Sequence, residues 1–242
     1  RTAQLPGPAS PKRPRTSRNR PAAGAINFSL PPIAPVLMAV CLILGIGVLT
    51  WTKSINYLEA GFNARNGLES IRNSDFQTAL VSLDRAIGLA PDVSVYHVLR
   101  AAVYSGYRRR DDGPRDPECA HLAETAPYHA CLARKVYISS REAAEQRPFA
   151  WRPRLHLAEA ALTLALIDRD TSMVSEAIRL YSEVAQLNPQ SWGHWERLAA
   201  AHIQVGQPEA SLEPLEKSLA ILDGIPRSAI SRLLEGMAYF QL

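Results

Sequence analysis

From Pro21 to Thr52 the chain carries no charge for 32 residues, and the last 20 of these, Ile33 to Thr52, are overwhelmingly apolar. As a helix, IAPVLMAVCLILGIGVLTWT rises about 30 Å, the thickness of a bilayer's hydrocarbon core. Soluble core helices rarely run this long without a polar face. The flanks also suit a membrane. Pro31, Pro32 and Pro35 fall before or within the first turn, where a missing N–H costs least. Trp51 lies at the far end, where amphipathic rings favour the headgroups, and Lys53 follows. Gly45 and Gly47 are two apart and do not form the four-spaced pattern of a helix dimer. A cleaved signal peptide fits less well, because some 30 residues precede the stretch and no small-x-small site follows Thr52. Residues 31–53 are therefore expected to be a transmembrane helix whose partner is the lipid bilayer.

Charge sets an orientation. Ahead of the apolar stretch come Arg1, Lys12, Arg13, Arg15, Arg18 and Arg20, and the first acid of the chain is Glu59. Basic residues beside a span stay in the cytoplasm, so the N-terminus is expected inside and residues 54–242 outside. The net charge of +4 is misleading: with Lys53, seven of the 27 Lys and Arg lie at the N-terminal end, leaving 20 bases against 23 acids, a net of −3. That balance argues against nucleic acid as a partner. The Pro-, Arg- and Ser-rich composition of residues 1–30 cannot bury a core, so a disordered basic tail is expected there.

Downstream, Ala and Leu dominate and helical periodicity recurs in blocks with shared punctuation. ALVSLDRAIGLAP ends at Pro91 and AIRLYSEVAQLNP at Pro189. In each, an Ala (Ala79, Ala177) is followed by a bulky residue (Leu83, Tyr181), a small one (Ala86, Val184) and a proline at matching intervals. Earlier in each unit comes another set: Gly67 in the first, and Trp195, Leu198, Ala199 and the turn residue Gly206 in the fourth. This pattern resembles the tetratricopeptide repeat (TPR), a pair of helices in about 34 residues carrying Trp, Leu-Gly and Tyr, then Ala, Phe, Ala and Pro. The fourth unit departs from it, with Ser211 and Ser218 in the two Ala slots. The resemblance implies an all-α chain: one transmembrane helix followed, over residues 54–242, by a TPR-type solenoid of about four and a half repeats. The second repeat carries an insertion near 110–127, and the third a lengthened turn around Asp168 to Thr171. Gly236 and Tyr239 match the first helix of a fifth repeat, after which the chain stops on an apolar face, the expectation being a fragment of a longer protein.

Several residues are candidates for more than packing. The insertion segment DDGPRDPECAHLAETAPYHAC holds Cys119 and Cys131. Outside the cytoplasm a structural disulfide is one reading, adding roughly 3 kcal/mol by chain entropy. Unpaired thiols are another, and a metal site with His121 and His129 a third, although Cys-x-His is not a common ligand spacing. The run Tyr107 to Asp112, YRRRDD, is either a basic binding patch or the solvated end of a helix. Trp151, Trp192 and Trp195 are candidates for a ligand groove, with core packing the simpler role for Trp195. Leu155, Glu159, Glu196 and Ala200 are expected to face the groove, which does not support the Lys/Asn/Arg grip on a terminal carboxylate known in some TPR proteins. Glu159 and Glu196 are also the nearest approach to paired carboxylates, but no nucleophile triad, phosphate loop or nucleotide fingerprint accompanies them.

The expectation is therefore a membrane-anchored TPR scaffold, without catalytic residues or cofactor, that binds a protein or peptide on the extracytoplasmic side. The alternative rests on layout: a basic loop, a span and extracytoplasmic repeats are similar to the C-terminal tail of bacterial O-antigen ligase and polymerase-like proteins. That resemblance implies a multi-pass glycan transferase whose catalytic part lies upstream and whose partners include lipid-linked glycans.

Overall fold

The structure, a computed structural model, describes residues 33–110, 115–122, 124–222 and 228–241. Among them every regular element is a helix: α1 (Ile33–Arg72), α2 (Phe76–Leu89), α3 (Ser94–Arg108), α4 (Thr125–Gln146), α5 (Trp151–Asp168), α6 (Thr171–Leu187), α7 (Trp192–Gln204), α8 (Pro208–Ile221) and α9 (Ser228–Gln241). The all-α expectation holds. The tail 1–30 lies outside the described residues.

Two units are distinguished, residues 1–48 and 49–242. In the first, α1 exposes apolar side chains all round, Met38 at 75% and Ile43 at 67% among them. Among the described residues α1 alone is long and apolar enough to cross a membrane.

The second unit is built from helix pairs. Residues of α1 beyond Tyr57 pair with α2, then α3 with α4, α5 with α6, and α7 with α8, while α9 lies against α8 and α7. Small residues let the axes approach. On α2, Ala79, Leu83 and Ala86 share one face at helical spacing and have no exposed surface. Opposite Leu83 is Gly67, where a Cβ would fall 2.9 Å from the Leu83 Cγ. Gly106 on α3 plays the same part against α2, with room for a Cβ only 2.6 Å from the Phe76 ring. Burial proceeds in two clusters. The first gathers Leu83, Val103, Tyr107 and Leu132 from α2, α3 and α4; the second gathers Leu157, Leu162, Leu180, Val184 and Leu198 from α5, α6 and α7.

Three of the turns inside a pair share one construction. Ser74, Arg169 and Gly206 take left-handed backbone, with φ of 62°, 54° and 75°. The next residue, Asp75, Asp170 or Gln207, sends its N–H back to the carbonyl five residues earlier, on Ser70, Ala165 or His202, at 2.9, 3.1 and 2.8 Å. This is the Schellman closure of a helix C-terminus. The same residue then opens the following helix: Asp75 accepts from the N–H of Thr78 at 3.2 Å and Asp170 from that of Ser172 at 2.8 Å. The lengthened turn expected at Asp168–Thr171 is therefore absent. Only Arg169 and Asp170 separate the helices, because α5 itself runs on for 18 residues.

Two stability outcomes follow. Gly67→Ala must displace the fully buried Leu83 and should cost about 1–3 kcal/mol in denaturant unfolding. Leu83→Ala alone should cost about 2–5 kcal/mol. The double variant should fall clearly short of the sum, since the added methyl occupies space the leucine vacates. At Arg169 the left-handed backbone penalises any side chain, so Arg169→Gly should stabilise by up to about 1 kcal/mol. Additive losses in the first pair, or destabilisation by the glycine, would contradict this account.

Candidate functional site

The second unit contains a groove of about 560 Å³. Its walls come from α3 (Val98, Ala102, Ser105, Arg109) and α5 (His156, Glu159, Thr163), and its base from α4 (Ala133, Val136, Ser140). A shallower hollow of about 270 Å³ shares Glu159 and Thr163 and continues along α5 to Arg197, Ala200 and Gln204 of α7. First helices of successive pairs thus line one continuous face, as their order in the stack dictates.

Polar side chains make up nearly half of the lining: Ser105, Arg108, Arg109, Ser140, His156, Glu159 and Thr163. Among the described residues Glu159 is the one acid of the lining; it pairs with Arg197 and lies 3.7 Å from His156. Burial, helped by the nearby positive Arg197, holds the His156 imidazole below its ordinary value. Arg108 is half-buried, and burial together with the adjacent Arg109 draws its guanidinium below the usual arginine range. Ser140 on α4 is 1% exposed, and its Oγ has no hydrogen-bond partner among the described residues.

The sequence candidates distribute unevenly over this geometry. Glu159 and Ala200 line the groove or its extension. Leu155 is instead 8% exposed and part of the second core. Glu196, expected in the groove, is likewise buried at 8%: it accepts a hydrogen bond from Ser231 of α9, whose Oγ lies 3.0 Å from that of Ser218. A serine in the second alanine slot of α8 and one on α9 give that carboxylate a polar niche, so Glu159 and Glu196 do not converge. None of the tryptophans lines the groove or its extension. Trp151 packs at a tilt of 54° against buried His194, ring centres 4.6 Å apart, and Trp195 donates its indole N–H to the Pro189 carbonyl at 2.9 Å, with the Lys217 ammonium over its ring. His97 makes a parallel contact six residues after Pro91, its Nε2 lying 2.9 Å from that carbonyl oxygen. Within the YRRRDD run, Tyr107 is core, Arg108 and Arg109 enter the groove, and Arg110 lies over the Phe76 ring at 5.3 Å. Of the remaining repeat positions, Ala79, Leu83, Ala86, Ala177 and Val184 have no exposed surface and Tyr181 and Leu198 are 5% exposed, while Pro91 and Pro189 end their helices at the surface.

Around the insertion, Cys119 and Cys131 are bonded, with Cα atoms 6.0 Å apart. Among the described residues no three His, Cys, Asp or Glu side chains converge as a metal would require. The insertion has more internal order than its composition suggests. Asp116, 1% exposed, accepts from the N–H groups of Glu118 and Cys119 at 3.1 and 3.0 Å and from the Lys135 ammonium at 2.9 Å. The Asp116 N–H in turn donates to the Tyr128 hydroxyl at 3.0 Å. Burial alone would pull the Lys135 ammonium down, but hydrogen bonds to Glu118 and Asp116 outweigh it and leave the group above the ordinary lysine value. Asp116-Pro117 is a turn signature that sequence inspection can find; the partner Lys135, on another element, cannot be found that way.

These features define a helical-hairpin repeat protein with the TPR arrangement. No protein-family model matches the chain, and no curated protein matches it. Among solved structures, the crystal structure of the MamA protein is similar with a TM-score of 0.55 at 14% identity, covering 76% of this chain and 82% of that one. Weaker likenesses include TTC0263, a thermophilic TPR protein in Thermus thermophilus (TM-score 0.47, 13% identity, 75% and 91% covered). Another is YrrB, described as a TPR protein with an unusual peptide-binding site (TM-score 0.37, 12% identity, 70% and 88% covered).

Two measurements check this site. Asp116→Ala leaves two N–H groups without their acceptor and Lys135 with Glu118 alone, and should cost about 3 kcal/mol, with amide exchange accelerated across 115–122; unchanged exchange there would contradict the capping role. Burial also holds the His194 imidazole below its ordinary value, against a hydrogen bond to the Asn188 backbone that pulls the other way. A lowered folded-state pKa means that the neutral ring stabilises the fold above the unfolded value of about 6.5, and that this contribution is lost as pH falls through the folded value. Unfolding midpoints should therefore drop on acidification below about pH 6.5, less steeply in His194→Phe.

Proposed function

We propose that this chain is a membrane-tethered scaffold: α1 anchors it, and the stacked pairs present their groove to a protein or extended peptide on the extracytoplasmic side. The observation that carries the reading is the groove itself, a continuous face on the first helices of successive pairs. Recognition over a preformed curved face is the use such stacked pairs support. YrrB, whose description names a peptide-binding site, is a precedent for that use. Anchoring supports it by raising the local concentration of the groove near other membrane components. In domain terms the proposal is a basic tail to residue 30, a span over 31–53 and a repeat domain over 54–242. The positive tail favours a cytoplasmic N-terminus, and the Cys119–Cys131 bond favours an oxidising compartment for the repeats.

The second reading, the tail of an O-antigen ligase or polymerase-like transferase, is supported by the order of basic segment, apolar stretch and repeats. Under it the groove serves a larger lipid-linked glycan machine, and the coding region ahead of Arg1 should contain further apolar stretches of spanning length.

Protease added to intact spheroplasts tests the topology. The repeats should be digested while the first 30 residues remain protected, and Cys119 and Cys131 should react with a membrane-impermeant thiol reagent only after reduction. Protected repeats, or thiols reactive without reductant, would overturn the extracytoplasmic assignment.

A further inference from the structure

We propose that the chain pairs with a second copy of itself through an apolar stripe on α1, formed by Trp51, Ile55, Leu58 and Phe62, the two α1 helices running parallel as a short left-handed coiled coil. The inference rests on the anchoring part of the scaffold reading and concerns a surface separate from the groove.

Spacing and exposure together define the stripe. Its members follow one another at intervals of four, three and four residues, so they share one helix face at the period of a coiled-coil seam. Within an apolar span such a spacing means little, since nearly every position is apolar. Past Lys53 it is informative, because Ser54, Asn56, Tyr57 and Glu59 fill the positions between. All four stripe residues are exposed, from 46% for Ile55 to 69% for Trp51. The helix is already committed elsewhere on its surface: Ala60, Ala64 and Gly67 are buried, the last against Leu83 of α2, and Glu59 pairs with Arg85. A contiguous apolar surface of this kind marks an interaction site. An aromatic side chain presents about 150–250 Å² and an aliphatic one somewhat less, so at these exposures the stripe offers on the order of 500 Å² per copy. Two copies then bury on the order of 1,000 Å², the threshold for a specific interface.

A second copy is the occupant that fits. Copies held in one bilayer by the same span point in the same direction, so their α1 helices meet in parallel with each stripe residue opposite its own counterpart. Apolar residues satisfy that arrangement and charged ones do not. The positions flanking the seam hold Thr52, Ser54, Glu59 and Gly61; Glu59 alone is charged, and Arg85 neutralises it, so no like charges oppose across the flanks. Gly61 has open space where a Cβ would lie, which lets a second helix close up beside Phe62. Beyond Phe62 the same face carries Arg65 and then Glu69, 76% and 57% exposed, a charge pair complementary to its own copy: the arginine of each chain can reach the glutamate of the other. The sequence repeats the spacing upstream at Leu37, Cys41, Leu44 and Val48, so the register does not oppose pairing inside the span. α9 also exposes Leu233, Met237 and Phe240, but nothing comparable selects an occupant for them.

The test is disulfide cross-linking of the full chain in isolated membranes. Cys41→Ser removes the free thiol, and single cysteines are then introduced. On mild oxidation Ile55→Cys, Leu58→Cys and Phe62→Cys should form covalent dimers about fivefold more strongly than Lys53→Cys and Asn56→Cys, because seam positions bring their Cβ atoms within disulfide reach and outer ones do not. Adding Leu58→Glu, which sets two carboxylates against each other, should cut the Phe62→Cys dimer about tenfold. The unfolding midpoint should stay in place, since the Leu58 side chain is exposed. Equal cross-linking at all five positions, or none, in a membrane-bound chain would overturn the pairing and leave the anchor and groove standing. Cysteines at 55, 58 and 62 that neither cross-link nor react with an impermeant maleimide would give the stripe to lipid and overturn it equally, as would a linked product of some mass other than twice the chain's. A chain recovered in the soluble fraction would overturn the anchoring reading, and this inference with it.

Discussion

Everything in the second unit depends on close approach between helices that cannot bury their apolar faces alone. An isolated pair such as α5 and α6 would leave one side of its apolar surface in water, and only the next pair removes it. Approach at that distance requires small residues at the crossing points. Gly67 against Leu83, Gly106 against Phe76 and the alanines at 79, 86 and 177 fill this requirement, each backed by a larger neighbour that occupies the gap. In the fourth pair Ser211 and Ser218 substitute for alanine, and their hydroxyls need partners. Ser211 donates to the Pro208 carbonyl at 2.6 Å; Ser218 joins Ser231 and, through it, Glu196. The polar niche at that end is thus a consequence of using serine where the crossing demands something small.

The connections obey a second economy. One residue closes a helix in left-handed backbone and the next both completes that closure and begins the following helix, so a pair needs only a two- or three-residue turn. Where this device is missing, between α3 and α4, the chain makes a longer excursion and supplies local constraints in its place: the Cys119–Cys131 bond, Asp116 as a cap, and Lys135 holding that cap to α4. Cys119 and Tyr128 then reach the first core cluster, which ties the excursion to the solenoid rather than leaving it as a surface loop.

Repeat identity was legible because it lives in local spacing. Ala79, Leu83 and Ala86 lie on one face whatever surrounds them, and the prolines at 91 and 189 stop their helices on any reading. The extent of α1 was less legible: no proline lies between Thr52 and Arg72 and the helix runs through Gly61 and Gly67, so Ile33–Arg72 is one element. What spacing could not supply was the depth of a side chain. Glu196 is the fifth residue of α7, as Leu155 is of α5, and both are buried; that a carboxylate is accommodated there depends on Ser231, which α9 brings to it, while Glu159 and Ala200, the ninth residues of the same helices, stay at the groove. The depth of Ser140 and the pairing state of Arg108 are likewise properties of neighbours far away in sequence.

That dependence on distant neighbours explains why the overall charge says so little about the functional face. The basic residues that raise the isoelectric point belong to the N-terminal tail, and the repeats taken as a whole are slightly acidic. Yet pairing removes charge locally: an arginine matched by a glutamate across a helix pair contributes almost no field at the distance of a ligand, while an unmatched one in a hollow keeps most of its own. Arg197 and Glu159 cancel, while Arg108 and Arg109 have no ion pair among the described residues. The lining of the groove is therefore positive although the repeats as a whole are slightly acidic.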